Sequence, residues 1–428
     1  MNVWKISRKN MLSLFWNDFK PEIMAPAGNR ASLTAAVQAG ADSVYLGVGK
    51  LNMRAHAAHN FSVEDLPEIV TFCRKHNIRS YLTVNTIFYD QDLKDLKHLL
   101  RAAKEAGITA VIASDMAAIL EARSLEIEVH ISTQLNVSNI EALAFYARYA
   151  EVVVLARELT LAQIGEIARQ VKERNITGPS GKRVKLELFC HGALCMAVSG
   201  KCYLSLHEYN KSANRGSCYQ ICRRSYTVTD NETGASLEVD NKYIMSPKDL
   251  CTITFLDKIL EAGVEVLKIE GRARSPEYVK TTVRAYKQGV HAVMEGTYTP
   301  ELAKDLEMHL RTVFNRGFWG GYYLGKKMGE WSDAYGNQAV EKKTYIARVT
   351  NYFSRSGIAE LKIETAPLHV GDKIMIIGPT TGVVEDTVRE IRLDDVSVQT
   401  APQGAVCSVP VGQKLRRSDK LYRVEKRV

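Results

Sequence analysis

Residues 93–113 read L-K-D-L-K-H-L-L-R-A-A-K-E-A-G-I-T-A-V-I-A, and this stretch predicts one helix followed by one strand. Apolar side chains at positions 93, 96, 99, 100 and 103 share one face of a helix. Gly107 comes directly after that pattern, where a helix commonly closes with a left-handed residue. Ala110–Ala113 is then short and apolar, as a buried strand is. The stretch is therefore a return from a surface helix to a core strand.

The same return recurs along the chain. Ala39-Gly40 and Ala262-Gly263 repeat the Ala-Gly ending, each shortly before another apolar run. Eight strands are predicted, at residues 22–25, 43–46, 80–84, 110–113, 128–132, 152–155, 185–189 and 265–269. Helical patterns separate most of them, and eight such units in one run favour a closed TIM-like (β/α)8 barrel over an open doubly wound sheet.

The pattern changes near Trp331, where helical periodicity ends. Alternating, β-rich segments with Gly near the turns follow, which predicts a small all-β barrel over residues 338–428. We therefore divide the chain into an amphipathic N-terminal arm (1–20), a barrel (21–330) and this C-terminal domain. The rhythm of the barrel is interrupted by a Cys-rich insertion at residues 190–246.

Composition indicates a globular cytoplasmic protein. Of 428 residues, 46% are hydrophobic and 25% charged, and no run approaches the ~20 apolar residues of a membrane span. The first 20 residues show no continuous apolar block or cleavage site typical of a signal peptide. Eight cysteines in such a chain favour metal or redox chemistry over a disulfide framework.

The net charge of +9 favours a polyanionic partner such as RNA. Residues 414–428 hold seven Lys or Arg against Asp419 and Glu425. The alternative is that this segment is simply a solvated tail.

Four cysteines define the insertion. Cys195, Cys202, Cys218 and Cys222 follow the spacing C-x6-C-x15-C-x3-C, with Cys190 and Cys251 in reserve. Structural zinc sites usually use shorter knuckles, so zinc is the second choice. A four-thiolate iron–sulfur cluster accepts these wider separations.

The predicted carboxyl ends of the barrel strands are polar and rich in arginine, and active sites of this fold lie at that end. Planar guanidinium groups bind carboxylates and phosphates in a bidentate manner, which favours an anionic small molecule or a nucleotide. Mutual pairing and helix capping are the structural alternative. The proposed anion-binding residues are Arg54, Arg157, Arg272 and Arg274. The candidates for proton transfer are Glu187, His191 and Glu270.

Common catalytic motifs are missing. The sequence has no H-E-x-x-H, no G-x-S-x-G and no Walker or Rossmann phosphate loop. Cys190 and His191 are adjacent, which on a strand points their side chains to opposite faces. A cysteine-protease dyad from this pair is disfavoured.

Four segments carry a family resemblance: M-A-P-A-G-N (24–29), E-L-F-C-H-G-A-L-C-M-A-V-S-G-K-C-Y-L-S (187–205), R-G-S-C-Y-Q-I-C-R (215–223) and L-K-I-E-G-R (267–272). With them the chain resembles the collagenase-like family of peptidases of unknown catalytic type, family U32. The likeness extends from residue 22 through F-N-R-G-F-W (314–319) and the β-rich end.

The resemblance implies an activity that the motifs do not. Members are similar to iron–sulfur proteins of oxygen-independent hydroxylation, acting on the tRNA wobble uridine with prephenate, on an rRNA cytidine or on quinone precursors. The barrel with one C-terminal β-domain is most similar to the tRNA branch. The resemblance implies a 4Fe-4S cluster on Cys195, Cys202, Cys218 and Cys222, with Cys251 as an alternative last ligand. It also implies prephenate as co-substrate and tRNA as partner. An electron-donating partner protein stays open. The rival interpretations are a peptidase and a non-catalytic RNA chaperone or assembly scaffold.

Overall fold

The computed structural model describes residues 19–56, 60–229, 231–234, 236–237, 245–325, 329–332 and 336–427. Most of the predicted N-terminal arm, residues 1–18, lies outside these ranges. The first twelve strands are β1 (Glu22–Ala27), β2 (Ser43–Gly47), β3 (Arg79–Val84), β4 (Ala110–Ala113), β5 (Glu128–Ile131), β6 (Val152–Val154), β7 (Lys185–Gly192), β8 (Val228–Thr229), β9 (Ser236–Leu237), β10 (Asp249–Cys251), β11 (Val266–Ile269) and β12 (Phe318–Trp319).

Strands β1 to β7 and β11 form a closed barrel of eight parallel strands. The pairing runs from β11 through β1 to β7 in chain order, and β7 pairs again with β11. The predicted TIM-like (β/α)8 fold is therefore confirmed. The strands bury nearly all their side chains, as parallel strands covered by helices do.

Ten α-helices lie within the described residues. They are α1 (Arg30–Gln38), α2 (Leu66–Lys75), α3 (Leu93–Ala106), α4 (Met116–Ser124), α5 (Ile140–Ala147), α6 (Leu161–Glu173), α7 (Leu204–Tyr209), α8 (Leu256–Glu261), α9 (Pro276–Glu295) and α10 (Pro300–Leu310). Leu96, Leu99, Leu100 and Ala103 are the buried residues of α3, and Gly107 closes that helix with φ +77°. The helix-to-strand return read from residues 93–113 is thus confirmed.

The barrel rhythm breaks after β7, where the cysteines lie. In place of a regular helix, the chain forms an irregular segment containing α7 and the β8–β9 hairpin. It then returns as β10, which is antiparallel to β7 and carries β12 on its other side. The insertion is therefore seated at the carboxyl end of β7.

The C-terminal domain is all-β, as predicted. Its strands are β13 (Glu341–Phe353), β14 (Ile358–Ile363), β15 (Leu368–His369), β16 (Lys373–Gly378), β17 (Gly382–Thr387), β18 (Ile391–Leu393), β19 (Val396–Val398), β20 (Thr400–Ala401), β21 (Val406–Pro410) and β22 (Lys420–Lys426). Eight of them form one antiparallel sheet in which β22 lies between β16 and β13. The basic end of the chain is thus built into the sheet.

Helices α1 and α9 hold this domain against the barrel. Gln38 of α1 donates a hydrogen bond to the carbonyl of Thr381 at 2.7 Å and accepts one from the amide of Val383 at 3.0 Å. Lys280 of α9 donates to the Val383 carbonyl at 2.9 Å and to Glu385 at 3.0 Å. Because the Lys280 side chain is only 8% exposed, these contacts fix the domain firmly.

Across the described residues, every helix is too short or too polar to span a bilayer.

Candidate functional site

The four predicted ligand cysteines come together in the segment after β7. Cys195 is exposed, and Cys202, Cys218 and Cys222 are half-buried; all four are free thiols. Burial raises the pKa of Cys222 to about 11 against the opposing charge of Arg223, and the other three thiols add to the rise. The pKa of Cys202 is raised by burial, and Cys195 and Cys218 contribute. The thiols therefore lie near one another.

Arg223 ties this segment to the rest of the barrel. Its guanidinium donates hydrogen bonds to the carbonyl of Leu194 at 2.6 Å, the carbonyl of Pro247 at 2.6 Å and the hydroxyl of Ser246 at 3.1 Å. These bonds join both ends of the insertion beside Cys222. Since Arg hydrogen bonds to several carbonyls fix geometry, Arg223 positions the thiol segment.

Gly216 lets the segment approach the loop after β2 closely. Its φ is +84°, and a Cβ there would lie 2.5 Å from the carbonyl oxygen of Asn52 and 2.9 Å from Cβ of Ala55. Only glycine fits both the left-handed conformation and the space. The close approach places Cys218 near Arg54, whose pKa is raised chiefly by Glu270 and also by Cys218.

The two alternative ligands, Cys190 and Cys251, lie outside the segment that holds the four thiols. Cys190 and Cys251 are buried on β7 and β10, and Cys190 makes a 3.4 Å contact with the carbonyl of Lys268. Burial raises the pKa of Cys251 to about 12. These two thiols belong to the packing between strands and helices.

The four thiols are the residues that could hold a cluster of several iron atoms. Within the described ranges, no three His, Cys, Asp or Glu side chains are arranged to hold a single metal ion. In a 4Fe-4S cube each thiolate binds a different iron, so the ligands are spread further apart. A cluster at these residues would take them as thiolates, so its binding would release their protons.

Three guanidinium groups surround one carboxylate at the rim. Arg54 binds Glu270 through Nε at 3.1 Å and Nη2 at 2.9 Å. Burial by itself would raise the pKa of Glu270, but Arg54, Arg157 and Arg272 together hold it at about 2. With three cations and one anion, the group has an excess charge of +2, which favours an anionic ligand.

Arg157 retains unused hydrogen-bonding capacity. Its guanidinium stacks on the ring of Phe189, 3.8 Å from the centroid. One Nη donates to the carbonyl of Ala193 at 3.2 Å. The buried Nε has no hydrogen-bond partner. A buried donor left unpaired is costly, so Arg157 is suited to receiving an anion.

The other two arginines are already committed. Arg272 is 4% exposed and donates to Asn52 at 2.9 Å and Thr83 at 3.0 Å; burial lowers its pKa to about 10. Nη2 of Arg274 lies 3.6 Å from Oδ2 of Asp249, and its Cζ lies 3.6 Å from the ring centroid of Phe314. For these two arginines, pairing with other residues of the protein therefore explains the structure better than binding of an anion does.

Glu187 lies inside the barrel, because β7 extends to Gly192 and leaves Glu187 well before the strand end. Lys268 donates to its Oε1 at 2.7 Å, and Nδ1 of His130 lies 4.0 Å from Oε2. Neither Glu187 Oε2 nor His130 Nδ1 has a hydrogen-bond partner. The network lies beneath the rim.

His191 faces away from the barrel interior. Lys268 pairs with Phe189 and Ile269 with His191, so Cys190 is an extra residue on β7. Such a bulge turns the following side chain to the other face. His191 contacts the rings of Tyr278, Tyr286 and Phe318, and burial with the charge of Arg274 lowers its pKa to about 3. Of the three proton-transfer candidates, only Glu270 lies at the rim.

Sequence reasoning missed the residues that support the site. Asn52, Thr83 and Asp249 hold the arginines, and Arg223 anchors the thiols. The signal available in the sequence was the L-N-M-R stretch, which holds Asn52 two residues before Arg54.

Comparison with known proteins gives a family and several named relatives. The model of peptidase family U32 matches residues 28–333. The chain is 56% identical over 411 residues to a protein from Porphyromonas gingivalis named collagenase, covering 96% of this chain and 99% of that protein.

Two more distant relatives are named for RNA modification. A tRNA hydroxylation protein of Bacillus subtilis is 33% identical, with 88% of each chain covered. A 23S rRNA 5-hydroxycytidine synthase of Escherichia coli is 36% identical over 64% of this chain and 40% of that protein. The residues that the family model matches, 28–333, include the site described above.

Proposed function

This chain belongs to peptidase family U32, and from that membership we propose that it modifies RNA by hydroxylating the tRNA wobble uridine to 5-hydroxyuridine. In this proposal the reaction needs no oxygen and takes its hydroxyl group from prephenate. A 4Fe-4S cluster on Cys195, Cys202, Cys218 and Cys222 is the resident cofactor, and tRNA is the macromolecular partner.

One observation carries the proposal: the segment that holds the four free thiols packs against the rim loop that carries Arg54, where a Cβ at Gly216 would lie 2.5 Å from the carbonyl oxygen of Asn52. Cys218 is near enough to Arg54 to affect its pKa, and Arg54 binds Glu270 directly. A cluster and an anionic co-substrate would therefore share one site. The relatives named for tRNA and rRNA hydroxylation support the reaction class.

The residues of the chain divide into distinct roles. Arg157 and Arg54 bind the carboxylates of prephenate, while Arg272 fixes the loop after β2 through Asn52. Glu270 is ionised at neutral pH because its pKa is about 2, so it serves as the counter-charge that orients Arg54. The cluster, when bound, supplies one-electron chemistry.

Nucleoside mass spectrometry tests the proposal. A deletion strain is complemented with the wild-type gene, with Cys218→Ala or with Cys73→Ala. Cys73 is buried in α2 away from the site and serves as the matched control. We expect 5-hydroxyuridine to disappear in the deletion, to return with the wild type and Cys73→Ala, and to stay absent with Cys218→Ala. Persistence of 5-hydroxyuridine in the deletion strain contradicts the proposal.

A peptidase is the second candidate, favoured by the relative named collagenase. It predicts that the purified, metal-free chain cleaves protein and that one nucleophile substitution abolishes cleavage. Its difficulty is that His191, next to Cys190, is enclosed by aromatic rings with a pKa of about 3.

A further inference from the structure

A cavity lies between the thiol segment and the loop after β3. Its volume is about 280 Å³, and Cys202 forms part of its wall. The other walls include Tyr89 and Tyr203, the apolar Ile87 and Leu206, and Arg215. A predicted cluster ligand thus borders a small space lined by aromatic, apolar and cationic groups.

Three tyrosines around this segment expose their rings. Tyr203 is 76% exposed, Tyr89 is 53% exposed and Tyr219 is 47% exposed. Aromatic side chains on a monomer surface are usually more buried than this, and a group of them marks an interaction surface. Tyr203 and Cys202 line the same cavity, so a partner on the Tyr203 ring lies close to the thiol.

Part of this surface is held rigid. The Arg215 guanidinium stacks on the ring of Tyr89, 3.8 Å from the centroid. Arg215 also donates to Asp92 at 2.7 Å. The Tyr219 ring lies 5.0 Å from that of Tyr209 and 6.3 Å from that of His56. Rings fixed in this way lose little conformational entropy when a ligand binds.

The charge around the tyrosines is positive. Between residues 195 and 224 there are five Lys or Arg, and the carboxylates facing them are Glu208 and Asp92, the second of which pairs with an arginine of this segment, so the excess is three. Lys201, Lys211 and Arg224 are exposed. Aromatic rings interleaved with cations are the pattern by which proteins bind single-stranded nucleic acid, with bases on rings and phosphates on cations.

We infer that this surface, which we name the tyrosine platform (Tyr89, Tyr203 and Tyr219 with the cavity), receives an unpaired pyrimidine of an RNA loop. The inference rests on the proposed function and specifies how the substrate base is selected. A paired base hides both faces in its stack, whereas an extruded base offers one face to Tyr203 and fits a small pocket. The platform therefore selects loops over duplexes and brings the base beside Cys202.

The test uses full-length chain purified anaerobically and a fluorescent RNA hairpin with one uridine in an otherwise adenosine loop. Two further probes are the same hairpin with an abasic site at that uridine and a duplex of matched length. The variants are Tyr203→Ala, Tyr203→Phe and, as an equally aromatic surface control, Phe145→Ala on α5, which is 42% exposed. Circular dichroism confirms that each variant is folded.

Tyr203→Ala should weaken binding of the uridine hairpin by roughly 5- to 150-fold, the range for one stacked base. Tyr203→Phe and Phe145→Ala should bind as the wild type does, and duplex binding should not change. The wild type should bind the abasic hairpin more weakly than the uridine hairpin, by a similar factor. Tyr203→Ala should not weaken binding of the abasic hairpin any further, because the abasic site and the substitution remove the same contact.

The platform would be overturned if the losses of affinity from the abasic site and from Tyr203→Ala were additive. It would also be overturned if Tyr203→Ala weakened binding of the duplex as much as binding of the hairpin. If the wild type binds the hairpin and 5-hydroxyuridine depends on the gene, but Tyr203→Ala binds as tightly, the platform is wrong and the proposed function stands. If the wild type binds none of the RNAs and tRNA nucleosides do not depend on the gene, both are wrong.

Discussion

Arg54 donates two hydrogen bonds to one carboxylate oxygen of Glu270, from Nε at 3.1 Å and from Nη2 at 2.9 Å. The pair joins the loop after β2 to the loop after β11, which lie far apart in sequence. Both side chains are largely buried, with 26% and 14% exposed. Removing either partner therefore leaves the other charge poorly solvated.

Glu270→Gln should destabilise the protein by about 2 kcal/mol at pH 7, because Arg54 loses its counter-charge. The folded-state pKa of Glu270 is about 2, against an ordinary value of 4.5. A lowered carboxyl pKa stabilises the folded state above pH 4.5, and that contribution is lost as pH falls from 4.5 toward 2. Urea unfolding of wild type and variant should show a constant gap above pH 4.5 that narrows in acid.

The exposed Glu158, which precedes α6, supplies the control for this pair. Glu158→Gln should change the unfolding free energy by less than about 0.5 kcal/mol at any pH in this range. A Glu270→Gln gap that stays unchanged down to pH 3 contradicts the assigned ion pair.

The barrel could be predicted because its signals are local. Gly107 ends α3 with φ +77°, and Gly40 and Gly263 likewise have φ of +80° and +85°. Each marks the same helix-to-strand return, and the sequence shows each one directly. The location of the four cysteines after β7, and of the arginines after the other strands, could likewise be predicted from the order of the strands.

What escaped prediction depends on contacts between distant residues. The extra residue Cys190 in β7 shows only in the pairing with β11, and it turns His191 outward. Arg272 looked as available as Arg157 in sequence, yet Asn52 and Thr83 occupy it. Because side-chain partners come from other strands, a sequence cannot distinguish a free guanidinium from a committed one.

Arg157 and Arg272 should respond differently to substitution by Gln. Arg157→Gln should weaken prephenate binding about 10- to 100-fold in calorimetry, because one charge-assisted hydrogen bond contributes about 1.5–3 kcal/mol. Arg272→Gln should instead lower the free energy of unfolding by about 2–4 kcal/mol, since buried Asn52 and Thr83 lose their donor. Equal binding losses with unchanged stability for both variants would show that the structure assigns their roles wrongly.

Gly216→Ala should disturb the thiol segment. The substitution places a Cβ against the Asn52 carbonyl and at a φ of +84°. We expect loss of at least about 1 kcal/mol in unfolding free energy and a lower iron content per chain. Gly181→Ala is the matched control, because Gly181 has φ +77° with open space around its Cβ position. If both variants retain full iron, the close approach at Gly216 does not support the cluster.

Replacing single cysteines by serine should separate ligands from packing residues. Cys195, Cys202, Cys218 and Cys222 should each be required for the visible absorption and iron content of anaerobically reconstituted protein, since each would bind one iron. Cys251→Ser should keep both signals, because Cys251 is buried near Cys190 and Tyr286 and not with the four thiols. Loss of iron in Cys251→Ser with retention in Cys222→Ser would make Cys251 the fourth ligand.

The basic turn before β22 should contribute phosphate contacts to tRNA binding. Lys414 and Arg417 are exposed there, and the strand that follows is anchored between β16 and β13, so their positions are fixed relative to the barrel. Binding should weaken steeply with salt, because each phosphate contact releases a counterion. The double variant Lys414→Gln/Arg417→Gln should lower the slope of log affinity against log salt by about 2, roughly one for each lost contact. Lys94→Gln/Lys97→Gln, two exposed lysines on α3, should leave the slope unchanged. Fluorescence anisotropy with unmodified tRNA over a salt series measures the slopes of both double variants. Salt-independent binding by the wild type would remove the reason for assigning phosphate contacts to the C-terminal domain.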